Sequence, residues 1–412
     1  MEVAAPAGPP AAGPSRRGAL QAGGSRKALA GFFVSGLLFS FLGAILPAWG
    51  YHLYSDYGTI GWYFLSAALG ILTSSWAAGP LLGRKGIAWT LAVGCSIGAS
   101  SLLYLAAVSP PAMPLWRVIG LFGVGLAAGI VHAGIFQAIA PIYRHDPAAT
   151  INLSGILFGS GCLAMALFIS GTFYLYTVPA IQILAAAVPG FFAIAFARTK
   201  FEAGEVLPKP YGVKQIASEF RTAGSFLLGL LVFFQFGNEW ALAGWLPLYL
   251  IQRLGISPAA ALLMLAFYWF ALTLGRVVAQ SLIAQFSHLR LLLAATVASM
   301  LGCLILFLTD NSFGAYSGIA MIGSGFALTY PLVIEKVGHR SPDYQPGFYN
   351  RSFALAFTAG LLAPSALGYL ASFWGVRTVM AIPLVGTAMV FLIITLIWLE
   401  ARIAQAQAAS RQ

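Results

Sequence analysis

Of the 11 Asp and Glu residues in the chain, Glu239 alone lies well inside a long apolar run, and the others fall in loops, in tails or at run ends. Placing a charged residue near the centre of a membrane helix costs about 2.5 to 3.5 kcal/mol. A carboxyl there must be protonated, paired or reached by water. A group that takes up and releases a proton in such a place is what proton coupling requires; the plainer alternative is a hydrogen bond that cements neighbouring helices. Gln235, Asn238 and Glu239 are spaced i, i+3 and i+4, so they share one helix face. That face is expected to line a central cavity and contact a substrate. His132 is a second candidate proton carrier, although a lone membrane histidine also serves as a helix-to-helix bond. Trp49, Trp245, Tyr268 and Tyr330 can stack on a sugar ring or an aromatic substrate. Core packing, or an aromatic belt at the membrane surface, explains such residues equally well. For Tyr51, Tyr54, Tyr57, Trp62 and Tyr63 the belt is the expectation.

The elements that carry these residues follow from composition. Of 412 residues, 59% are hydrophobic and only 8% charged, whereas soluble domains average about 25% charged. The solvent of this chain is lipid. A soluble enzyme, a nucleic-acid-binding domain and a secreted disulfide scaffold are thereby excluded. The net charge of +11 comes from basic residues in short connections, where it reports orientation instead of nucleic-acid binding. Cys95, Cys162 and Cys303 have neither paired nor metal spacing and read as small packing residues. Enzyme, ATP-hydrolysis and zinc motifs are absent from the sequence, so no enzyme activity, cofactor or metal is expected.

Cutting at charges, Pro/Gly clusters and polar turns gives twelve spans. The first six start near Ala28 and end near Ala197; the second six run from about Ala223 to Leu399. The expected organisation is a disordered tail (1–27), a six-helix bundle (28–197), a linker (198–221), a second bundle (222–400) and a tail (401–412). With both termini cytoplasmic, almost all Lys and Arg fall inside and only Arg117, Arg253 and Arg377 outside. The sequons at Asn152 and Asn350 then face the cytoplasm and are chance matches.

The halves repeat. Gly123-x-Gly125 matches Gly323-x-Gly325 at an offset of 200, and Phe158 and Gly161 match Phe357 and Gly360 at an offset of 199. Two similar bundles that rock about a site between them are one route to transport. Gly94-x-x-x-Gly98, Gly125-x-x-x-Gly129 and Gly155-x-x-x-Gly159 allow close helix approach, as sliding or as static contacts.

At this point the chain resembles the major facilitator superfamily. Gly79-Pro-Leu-Leu-Gly-Arg84-Lys85-Gly86 resembles a shortened form of its Gly- and basic-rich loop, without the acidic residue, and Gly275-Arg276 stands at the related place in the second half. Arg117 with Gly123 and Gly125 resembles its fourth helix, and Gly360 to Gly368 its eleventh. A narrower similarity, to fucose permease-like sugar:proton symporters, rests on Phe236-Gly-Asn-Glu239, Trp245-Leu-Pro-Leu-Tyr249 and Tyr330-Pro331. The resemblance implies an all-α membrane protein of twelve transmembrane helices in two six-helix bundles. It implies a monomer in the inner membrane, alternating access, a small-molecule substrate taken up with protons, and a cytoplasmic gate at Gly79, Arg84, Lys85 and Arg276. Sugar uptake is the expectation; an exporter of drugs or metabolites is the nearest rival. A non-transporting receptor or intramembrane enzyme is the alternative of another class.

Overall fold

The computed structural model describes residues 16–54, 56–145, 147–201, 223–283, 285–340 and 351–409. Among these, the regular structure is entirely helical: α1 (Arg16–Ile45), a stretch Tyr57–Ala107 that makes α2 and α3, α4 (Pro114–His145), α5 (Pro147–Thr172) and α6 (Val178–Ala197) form the first half. The second half holds α7 (Ala223–Leu254), α8 (Pro258–Ile283), α9 (His288–Leu308), α10 (Ser312–Arg340), α11 (Arg351–Trp374) and α12 (Thr378–Ala409). Nine described stretches are long and apolar enough to cross a membrane, and one of them, Tyr57–Ala107, has 51 residues, twice the length a crossing needs. It is broken at Gly86 (φ 82°, ψ 178°) into α2 (57–85) and α3 (87–107), a left-handed turn that glycine makes without strain.

The loop expected around Gly79, Arg84 and Lys85 is therefore helix up to Lys85, and the reversal is compressed into one residue. Two other boundaries shift. Helix α1 starts at Arg16, just after Pro14, so part of the expected tail is helical. Helix α12 runs past Leu399 to Ala409, because its last turns are mostly Ala, Gln, Glu and Arg, which favour helix. At the other end of α1 the helix stops at Ile45, ahead of Pro47, and Gly50 (φ 83°) turns the chain toward α2. Proline opens α4, α5 and α8, where its missing N–H costs no bond, and the Asp56 carboxylate caps α2 by accepting from Thr59 N at 3.2 Å.

Helix termini at the two ends of the molecule identify its layers. Gly24 near the start of α1 lies against Lys200 just past α6, on the side of the chain termini. At the opposite, distal end, Tyr63 of α2 donates to Pro114 O, and Ser109 after α3 donates to Gln182 of α6. The repeat is visible in packing: Gly161 crosses α1 at Phe33, and Gly360 crosses α7 at Phe236. The two Gly-x-Gly pairs serve the same neighbours in reverse order. Gly123 meets α3 and Gly125 α2, whereas Gly323 meets α8 and Gly325 α9.

The bundles touch along three seams. In the distal half, α1 crosses α7 where Gly43 faces Ala243 O, and α2 crosses α11 where Gly61 faces Gly368. Tyr57 of α2 also donates to Gln252 of α7 at 2.8 Å. The third seam, α5 on α8, runs from Ser170, which donates to Ala259 O, to Gly155 beside Arg276. Large apolar side chains such as Trp76, Tyr174 and Phe313 remain on the outer surface, as expected of a chain solvated by lipid.

Candidate functional site

Helix α7 is packed on several sides, and residues 237–240 are divided among α11, α12, α8, α1 and α5. Gly237 meets Gly360 and Ala363 of α11; Asn238 lies so close over α12 that a Cβ at Gly386 would collide with its amide. Glu239 points to α8, and Trp240 to Phe39 of α1, Phe158 of α5 and Trp269 of α8. The expected common face of Gln235, Asn238 and Glu239 is thus divided: Asn238 joins α12, and Glu239 turns to Arg276 of α8. The i+1 step between them rotates about 100°, enough to change partners on a helix with neighbours all round.

Glu239 is 3% exposed and pairs with Arg276, itself 6% exposed, at 3.7 Å. The same guanidinium donates through Nη1 to Gly155 O of α5 at 2.8 Å, and Asn152 Nδ2 of α5 donates to Arg276 O at 3.1 Å. Arg276 thus joins a carboxylate of one bundle to a backbone carbonyl of the other. Gly155 makes room for it; a Cβ there would stand 3.1 Å from Nη1. Arg276, expected with Gly79, Arg84 and Lys85 to form a cytoplasmic gate, is buried where α8 meets α5. Arg84 and Lys85 are exposed at the end of α2, with Lys85 over the Trp89 ring. Asn152 is a residue that sequence reasoning passed over, since its sequon read as chance. An amide inside an apolar span was the available signal.

A cleft opens beside Trp240, between Phe39 and Gly43 of α1, Phe64 of α2, Val124 of α4 and Pro364 of α11. Its free volume is about 50 Å³, room for a few waters at about 10 to 15 Å³ each. Ser40 and Trp240 are the lining residues whose side chains carry a polar atom. Phe39 and Trp240 stack at 5.0 Å with 34° between their planes.

The remaining expected residues separate by environment. Trp245 is fully buried, donates to Pro364 O at 2.9 Å and packs on Tyr57 and Phe64, within the distal seam. Trp49 contacts Phe41 and Tyr63 and, with Tyr51 and Tyr63, surrounds the Arg117 guanidinium at 5.4 to 5.8 Å. Of the expected belt only Tyr54 and Trp62 are exposed; Tyr51, Tyr57 and Tyr63 are buried, and Tyr51 and Tyr63 share a hydrogen bond of 2.8 Å. Tyr268 is buried next to Trp269. The Tyr330 side chain lies outside the described residues. His132 shares a hydrogen bond with Ser35 at 3.2 Å and is ringed by Phe32, Phe39, Phe136 and Phe158. All three cysteines are free and buried.

A family model described as Major Facilitator Superfamily matches residues 28–364. An uncharacterised MFS-type transporter of Yersinia pestis is 24% identical over 347 residues, which cover 82% of this chain and 87% of that protein. Among solved structures, the fucose:proton symporter FucP of E. coli aligns with a TM-score of 0.60 at 13% identity, covering 90% of this chain and 98% of that one. The nucleoside transporter NupG aligns with a TM-score of 0.68 at 14% identity, covering 90% and 99%.

Proposed function

This chain belongs to the Major Facilitator Superfamily, and from that premise we propose that it is a proton-coupled secondary transporter in which Glu239 carries the proton and Arg276 transmits its state to the bundle interface. It moves a small organic solute by alternating access. The observation that supports this most directly is the shared guanidinium, held by the Glu239 carboxylate on one side and by the α5 carbonyl at Gly155 on the other. Ionised Glu239 fixes Arg276; a proton on Glu239 removes the charge partner and leaves the guanidinium to rebalance across the α5–α8 seam. A protonation event is thereby converted into a change in how the bundles hold each other.

In this reading residues 28–197 and 222–400 are the rocking bodies, 198–221 the linker, and the functional unit a monomer. The protein lies in the inner membrane with both termini cytoplasmic, so the distal seams at Gly43 and Gly61 close the outer side. The α2–α3 turn with Gly79, Arg84 and Lys85 belongs to the cytoplasmic gate. His132, walled by phenylalanines, acts in packing and leaves coupling to Glu239. Sugar uptake is the second reading, favoured by the likeness to a fucose:proton symporter.

The test is Glu239→Gln in proteoliposomes. Gradient-driven accumulation should be lost while counterflow exchange persists. Accumulation at the wild-type rate in that variant overturns the assignment.

A further inference from the structure

Arg276 lies at one end of a series of buried polar groups that the ion pair does not use. The indole N–H groups of Trp240 and Trp269, the hydroxyls of Tyr268 and Thr273 and Nε of Arg276 have no hydrogen-bond partner among the described residues. Trp240, Trp269, Tyr268 and Arg276 are each more than nine-tenths buried. Indole and guanidinium N–H groups can only donate, and a buried donor left unpaired is costly. Trp269, Thr273 and Arg276 stand at i, i+4 and i+7 on α8, so they follow one helix face. Trp240 of α7, which lines the cleft, meets Trp269 of that face with ring centroids 6.1 Å apart.

The site therefore offers donors and one cation at one end and apolar and aromatic walls at the other. A polyol could accept from the donors but fits the apolar end badly, because several of its hydroxyls would enter the cleft without partners. We propose that the substrate is a monocarboxylate on a planar, apolar ring, with its ring against Phe39, Phe64 and Trp240 and its carboxylate on Arg276 and the indole N–H groups. This assignment rests on the proton-coupled reading above and names the class of solute it serves. It also fixes the order of events. The charged and titratable groups around Glu239 are Arg276 and Tyr268 of α8 and Cys162 of α5, with Cys303 of α9 beyond Tyr268. The single cation cannot satisfy two carboxylates, so the solute anion takes Arg276 as Glu239 takes a proton. The loaded site is then neutral, and transport carries one proton with each anion. Bundle tilting must widen the cleft, since 50 Å³ does not hold a six-membered ring.

The test uses the full-length protein in detergent with benzoate, its neutral isostere benzamide, L-fucose and uridine, read by thermal shift and tryptophan fluorescence. Benzoate should stabilise the protein and bind at least about tenfold more tightly than benzamide, the effect of one charge-assisted hydrogen bond. Arg276→Gln should weaken benzoate about 10- to 100-fold. Trp269→Phe keeps an aromatic ring and removes the donor. It should weaken benzoate about threefold to tenfold and benzamide, a neutral acceptor, by less, which keeps the test decisive if Arg276→Gln does not fold. In weakly buffered solution, benzoate binding should draw one proton per site from the medium in the wild type and none in Glu239→Gln. Absence of a benzoate effect, equal binding of benzoate and benzamide, or benzoate binding without proton uptake overturns the proposal. Stabilisation by fucose or uridine but not benzoate, with Glu239-dependent accumulation intact, overturns the solute class and leaves proton coupling standing.

Discussion

Replacing Arg276 by Met removes the guanidinium and keeps an unbranched apolar side chain of similar length. Opposite unit charges 3.7 Å apart attract by about 4 to 5 kcal/mol at an effective dielectric constant of about 20. The arginine also loses its bond to Gly155 O, worth about 1.5 to 3 kcal/mol for a charged donor. Breaking a buried pair from one side typically costs about 3 to 5 kcal/mol, and protonation of the stranded Glu239 keeps the loss within that range. Glu239→Gln made together with Arg276→Met removes the stranded carboxyl, so the double variant should recover about 2 to 3 kcal/mol of the single variant's loss. The assay is a double-mutant cycle on purified protein, with stability read from denaturant unfolding at pH 7 and repeated under acid conditions. Recovery should shrink in acid, where a proton does the work of the glutamine. Additive single effects at pH 7, or a neutral Arg276→Met, would refute an energetically coupled pair and with it the latch on which the proposed mechanism rests.

Gly43→Val places a Cβ 2.6 Å from Ala243 O and should wedge the distal α1–α7 seam. Spin labels at Leu53 and Phe313, both exposed, should then report a longer distal distance by electron resonance. Trp245→Phe deletes the N–H bond to Pro364 O and should lower stability by about 0.5 to 1.5 kcal/mol, seen as a reduced melting temperature at unchanged fold by circular dichroism. His132→Leu removes the bond to Ser35 and retains the packing with Phe32 and Phe136, so gradient-driven accumulation in proteoliposomes should persist; its loss would make His132 a coupling residue.

The sequence by itself determined the solvent of this protein, the helical class and the residue where a charge is most costly. Each of those follows from the composition of single runs: a segment of about 20 apolar residues crosses lipid whatever it packs against, and a carboxyl inside it needs an explanation. The Gly-x-Gly repeats were legible for the same reason, since close helix approach demands small residues in place. Only the tertiary structure decided the partners. Helix α7 is surrounded, so periodicity could not say that Asn238 meets Gly386 while the adjacent Glu239 meets Arg276. Arg276 read as a residue at a cytoplasmic helix end because basic residues near such ends usually are; its burial depends on Gly155 of another helix leaving room. Trp245 and Trp240, five positions apart and alike in sequence, part company for the same reason. One is locked to Pro364 O, and the other lines the cleft. What a side chain costs in lipid is a property of one span, whereas what it does there depends on which other spans are brought beside it.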